Sequence, residues 1–141
     1  MLSRRPRRRR GFTLMEVLLV LAILVILGSL VTVSFVRMQQ NAYINAAKSQ
    51  VEMLGGAVDM YMLAIGSPPE QQAGLDALLN PPGELKNPEK WQGPYLDHAQ
   101  LPMDPWNNPY QYELLPPDKY RIFSWGPDRA PGTNDDISTD Q

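Results

Sequence analysis

Four of the fifteen acidic side chains in this chain sit where chemistry can be read from their neighbours. Asp128, Asp135 and Asp136 fall within nine residues, in a stretch that also holds Gly126, Pro127, Pro131 and Gly132. Carboxylates held that close repel one another unless a cation lies between them. Oxygen donors without His or Cys select a hard ion, and calcium accepts about six to eight oxygens in flexible geometry. The spacing is not that of an EF-hand, and a solvated acidic tail accounts for the same charges. The fourth acid is Glu16, alone inside an apolar segment. A carboxylate in hydrocarbon costs several kcal/mol unless it is paired. Either it lies at a membrane interface and stays hydrated, or it finds a cation in the apolar layer. Such a cation would arise if the chain were cut between Gly11 and Phe12, since a new α-amino group is positive at neutral pH. Glu16 of one copy could then meet the amine of the next and set the register between them.

Catalysis finds no support. There is no cysteine, so no disulfide, thiolate metal site or Cys nucleophile exists. His98 is the single histidine, and no nucleophile–base constellation forms around it. It reads as a surface loop residue. An enzyme is not expected. Charge is divided unevenly: residues 1–10 carry six arginines, and the rest carries seven basic and fifteen acidic side chains, a balance of −8. An acidic body offers few of the Lys and Arg contacts that nucleic-acid phosphates need, so no nucleic-acid partner is expected.

The elements that must position these residues are set by periodicity. Residues 17–36 form a run of twenty without a charge, rich in Leu, Ile and Val. As a helix it spans roughly 30 Å, the thickness of a bilayer's hydrocarbon core. Arginines just before it stay cytoplasmic, which puts the chain beyond it on the far side of the membrane. A cleavable secretory signal has a shorter apolar core. Arg9-Arg10-Gly11-Phe12 has the look of a twin-arginine signal, but neither alternative explains Glu16. Beyond Arg37 the stripe Ala47, Val51, Leu54, Val58, Tyr61, Ile65 recurs every three or four residues. No proline interrupts residues 12–65, which predicts one helix of roughly 54 residues. Gly55-Gly56 is either a mild bend or a site of close backbone packing. Gly66-Ser67-Pro68-Pro69 stops the helix.

Thirteen of the fourteen prolines lie in residues 68–131, so the second half is rich in loops. A short second helix is expected over 70–79, then a long ordered loop over 80–108 with packed Trp91, Tyr95 and Trp106. Asp104 reads as a turn cap, and Glu52 and Asp59 as solvated helix charges. Residues 110–114 and 120–124 alternate, with turn material at 116–119, which predicts an antiparallel hairpin. The helix stripe is the partner available to cover its apolar face. The tail 125–141 shows no periodicity and reads as a loop held by something other than a core.

Arginines, then Gly11-Phe12-Thr13-Leu14-Met15-Glu16, then an apolar run resemble the class III signal of type IV pilins and pseudopilins. Leu101-Pro102-Met103-Asp104-Pro105-Trp106-Asn107-Asn108-Pro109-Tyr110-Gln111-Tyr112 is similar to the L-P-x-D-P-W-G-x-P-Y-x-Y block of the major pseudopilins of type II secretion. Phe123-Ser124-Trp125-Gly126-Pro127-Asp128 and Asn134-Asp135-Asp136-Ile137 resemble that family's F-S-x-G-P-D and N-D-D-I motifs. Three differences stand out. The family's helix proline near Val33 is missing, its Tyr-Pro after the helix reads Ser67-Pro68, and loop 80–92 has its own sequence.

The resemblance implies an α+β, type IV pilin-like fold: a long N-terminal helix on a small antiparallel sheet, with a C-terminal metal-binding loop. It implies a leader at 1–11 removed by a prepilin peptidase after Gly11, methylation of the Phe12 amine, a membrane-spanning polymerisation helix at 12–36, and a periplasmic domain at 37–141. It implies calcium held by Asp128, Asp135 and Asp136 with the carbonyls of Trp125 and Ala130 and an oxygen of Thr133. The protein would sit in the inner membrane with its N-terminus cytoplasmic. There it would polymerise into a pseudopilus that drives folded proteins across the outer membrane, with minor pseudopilins, an inner-membrane assembly platform and its ATPase as partners. A type IV pilin of a surface fibre is the neighbouring alternative, although many of those end in a cysteine-bridged loop. A membrane-tethered binding module that never polymerises would not need Gly11-Phe12 or Glu16.

Overall fold

The computed structural model describes residues 11–139, apart from the side chains of residues 30–34. The arginine stretch 1–10 lies outside them. The first helix, α1, runs Leu14–Ile65, 52 residues. Its start is set by a feature other than apolar periodicity. Thr13 is followed three residues later by Glu16, the spacing of a capping box. The Glu16 amide donates to the Thr13 hydroxyl at 3.2 Å, satisfying one of the helix's orphan N–H groups. At the far end Gly66, at φ +100°, donates its N–H to the Met62 carbonyl at 2.8 Å, a stop that glycine adopts without strain.

The chain divides into two compact units, one ending at Gln39 and one beginning at Gln40. In the first, the large apolar side chains from Leu14 to Leu27 are all exposed, between 46% and 81%. Among the described residues no helix is long and apolar enough to cross a membrane. The run 17–36 expected to do so contains residues 30–34, whose side chains lie outside the described ones.

The second unit contains the core. Ala47, Val51, Leu54, Val58 and Tyr61 are buried, and Ile65, at the end of the stripe, is packed partly buried against them. The sheet has three antiparallel strands, β1 (Gln111–Leu115), β2 (Lys119–Ser124) and β3 (Ile137–Ser138), in that order. The β1–β2 hairpin pairs Tyr112 with Ile122 and Leu114 with Tyr120. Ile122 has no exposed surface and joins the helix stripe in the core.

Two expectations are corrected. Residues 70–79 do not form an α-helix. Gly74 takes φ +51°, which breaks the right-handed run, and only a 3-10 turn Gly74–Leu78 is formed. The tail is not held entirely outside the core either. Its Ile137 is 4% exposed and pairs with Ser124 as β3. A two-residue strand is too short to show alternation.

The loop 80–108 is ordered by its aromatics, as expected. The Trp91 indole donates to the Ala77 carbonyl at 3.0 Å. Tyr95 meets the edges of both Tyr61 and Trp91, with ring centroids 5.7 and 5.8 Å apart. Gly55 resolves the question of the glycine pair. A Cβ there would lie 3.6 Å from the Thr139 methyl and 3.7 Å from the Tyr120 hydroxyl, whereas one at Gly56 would meet nothing. Only the first glycine faces packed neighbours.

Candidate functional site

The C-terminal loop between β2 and β3 starts at a point of close approach. Gly126 is buried at φ +69°, and a Cβ on it would come within 2.2 Å of the Asp135 carbonyl oxygen. Only glycine lets the two ends of the loop touch. The touch returns Asp135 and Asp136 to the place where Trp125 leaves the sheet. Inside the loop, Asp128 accepts the Ala130 N–H at 3.0 Å and Asp136 accepts the Gly132 N–H at 2.8 Å. The Thr133 hydroxyl donates to the Ala130 carbonyl at 3.4 Å. Asp128, Thr133 and Asp135 are exposed, and Trp125, Ala130 and Asp136 are half-buried. Among the described residues no three acidic or histidine side chains come together closely enough to hold a metal ion. All six residues expected as ligands therefore share one loop, closed on itself by Gly126, with two of its carboxylates folded onto loop amides.

The expected ligands are alike in donor type only. Every candidate is an oxygen, the donor type that hard cations take. A carboxylate oxygen has two lone pairs, so an amide partner does not bar it from a metal.

Asp104 anchors the loop from outside. It is 4% exposed, and one oxygen accepts the N–H groups of Trp106 and Asn108 at 3.0 and 2.7 Å. The other accepts the hydroxyl of fully buried Ser124 at 2.6 Å. Sequence reading gave Asp104 the role of a turn cap but missed Ser124. An outward-or-inward assignment along β2 would have found it, because Ser124 lies two residues after the core residue Ile122 and so on the same face.

The tyrosines record how the sheet seats on α1. The Tyr120 hydroxyl lies 2.8 Å from the Asp59 carboxylate and 3.0 Å from the Gly55 carbonyl. Burial raises its pKa above the usual value of 10.0, and the Asp59 hydrogen bond and charge raise it further. Asp59 is thus a partner of the sheet as well as a solvated charge. Tyr112 donates to the Pro69 carbonyl at 2.7 Å, and burial, then Tyr61, pushes it up to about 12. His98 is exposed, as expected.

At the other end of the chain, Phe12 is 83% exposed and Gly11 and Glu16 are exposed. An apolar helix capped at Thr13, a core stripe further along it, a three-stranded sheet and a closed acidic loop together define a pilin-like subunit of the pseudopilin class. The chain belongs to the family of type II secretion system protein G, whose description matches residues 34–140; a prokaryotic N-terminal methylation motif matches residues 6–32. It is 42% identical over 135 residues to the type II secretion system core protein G of Aeromonas hydrophila, covering 93% of this chain and 92% of that one. The Pseudomonas aeruginosa core protein G is 38% identical over 132 residues, 92% of this chain and 91% of that one. The crystal structure of the major pseudopilin from the type 2 secretion system of enterohaemorrhagic Escherichia coli superposes with a TM-score of 0.61 at 32% identity, over 74% of this chain and 91% of that one.

Proposed function

We propose that this chain is the major structural subunit of a type II secretion pseudopilus, retained in the inner membrane by its N-terminal helix until it polymerises. The observation that carries this reading is the exposure of every described large apolar side chain from Leu14 to Leu27. A helix that is apolar on all faces is not stable against water and must be covered by lipid or by copies of itself. Small residues along it, Ala22, Gly28 and Ser29, permit close helix approach. Cleavage after Gly11 and methylation of Phe12 give the helix its mature start, and the new amine is the mate of Glu16 on a neighbouring copy. Polymerisation exchanges lipid contacts for helix contacts. A prepilin peptidase, minor pseudopilins, an assembly platform and its ATPase are the partners that this role requires.

Calcium, when bound, cross-links the C-terminal loop. Asp128, Asp135 and Asp136 would hold it together with the carbonyls of Trp125 and Ala130 and an oxygen of Thr133. A small domain without disulfides gains from such a staple.

Glu16→Ala tests the assembly reading. A filament subunit with this change inserts in the membrane but polymerises poorly, scored by sheared filaments and by secretion of a folded substrate. Normal filaments from the variant contradict the role given to Glu16.

A further inference from the structure

Among the described residues the sheet has two edges, and they differ in length. β3 has two residues, so its edge offers little for another chain to pair with, whereas β1 has five. Along β1 successive residues turn their N–H and C=O groups alternately toward β2 and away from it. Gln71 shows which residues turn away. Its side-chain Nε2 donates to the Tyr112 carbonyl at 2.9 Å, and its Oε1 accepts the Leu114 N–H at 2.7 Å. Taking the carbonyl of one residue and the N–H of the residue two further on is what a single residue of a parallel neighbouring strand does. One side-chain amide thus fills the place of a strand at the middle of the edge. Among side chains only Asn and Gln carry an acceptor and N–H donors on one amide. Gln71 is held there from two sides. The Tyr112 hydroxyl donates to the Pro69 carbonyl at 2.7 Å, two residues before it. After it, Ala73 and Gly74 both donate their N–H groups to the Glu70 carbonyl, at 3.0 and 2.9 Å, and close a turn.

We infer that Gln71 is a plug that closes the β1 edge against pairing with the same edge of a second copy of this chain. An open edge strand is a template for another strand. The β1 edge is complementary to itself. Two copies related by a two-fold axis would pair antiparallel, Tyr112 of each against Leu114 of the other, through the carbonyl and N–H groups that Gln71 occupies. Sheet pairing of that kind would compete with contacts made through α1 wherever copies gather to polymerise. Gln71 itself is exposed, so its removal opens the edge and leaves the core alone.

The test is amide hydrogen exchange and sedimentation of the full chain in detergent micelles over a range of protein concentrations, on the wild type, Gln71→Ala and a control. The control is Gln72→Ala, which removes the same amide from the next residue, also exposed. At the lowest concentration the Leu114 amide is expected to exchange roughly 3–10-fold faster in Gln71→Ala than in the wild type, the effect of one lost hydrogen bond. The Glu113 amide, which faces β2, keeps its rate. Raising the concentration should drive Gln71→Ala, but neither the wild type nor Gln72→Ala, into dimers in which Leu114 is protected again. Association through α1 is shared by all three proteins and leaves the Leu114 rate unaltered, so it is told apart from edge pairing. A Leu114 amide that exchanges at the wild-type rate in Gln71→Ala overturns the inference. So does a Gln71→Ala protein that forms no new dimer at any concentration, or an equal change in Gln72→Ala. Should Gln71→Ala fail to fold, Gln71→Met, of similar length but without the amide, carries the same comparison.

Discussion

Replacing Gly126 by alanine should damage the protein out of proportion to the single methyl added. The residue sits at φ +69°, where an L side chain costs about 1–2 kcal/mol. Its new Cβ would also lie 2.2 Å from the Asp135 carbonyl oxygen, a backbone atom that cannot swing aside. Relieving that overlap by backbone shifts adds about 1–3 kcal/mol. The total, about 2–5 kcal/mol, corresponds to a fall in Tm of at least roughly 8 °C for a domain of this size. Two other glycines calibrate the figure. Gly132 has φ +80° but open space around it, so Gly132→Ala should show the backbone strain alone, about 1–2 kcal/mol. Gly56 lies in α1 with nothing near its absent Cβ, and Gly56→Ala should stabilise by up to about 1 kcal/mol. Thermal and urea unfolding of the three variants in chelator reads the series without any metal contribution. A Gly126→Ala protein no less stable than Gly132→Ala would refute the closed-loop geometry.

Two further outcomes rest on the same packing. Leu54 has no exposed surface at the centre of the helix stripe, so Leu54→Ala should cost about 2–5 kcal/mol in urea unfolding, and a cost under about 1 kcal/mol would contradict its place in the core. Tyr61, Tyr110, Tyr112 and Tyr120 all have pKa values raised above 10.0, so the folded state holds their protons longer than the unfolded chain does. Their contribution is complete below the unfolded pKa of about 10 and is lost as pH rises through the folded values, about 12 for Tyr112. The urea midpoint should hold steady from neutral pH to about 9 and fall above about 10, with a shallower fall in Tyr112→Phe; an identical fall in that variant would show that the tyrosine is not the cause.

The long-range order of this fold was legible where a pattern repeats. The stripe from Ala47 to Tyr61 names its own buried face because helical periodicity is written several times over. The hairpin was legible because two alternating runs flank a Pro-Pro-Asp-Lys turn. What escaped was encoded by single residues. Gly74 turns an apparent helix into a 3-10 turn through one positive φ. Ile137 is one apolar side chain in a polar tail, and only the tertiary position of β2 makes it a strand. Thr13 caps the helix through the Glu16 amide, overlooked because Glu16 was read for its charge and not for its backbone N–H. In the candidate site the acidic residues were visible by composition, while the tie from Asp104 to Ser124 spans residues far apart in sequence and needs the fold to exist.

The central claim is that a mature chain beginning at Phe12 uses its apolar helix as both membrane anchor and assembly element, with Glu16 matched by the amine that cleavage creates. Mass spectrometry of the intact chain recovered from the membranes of a secreting cell tests it directly. The account predicts a mature protein that begins at Phe12 and carries one added methyl group at its amino end. A chain still bearing the arginine leader, or one starting well beyond Phe12, would contradict it.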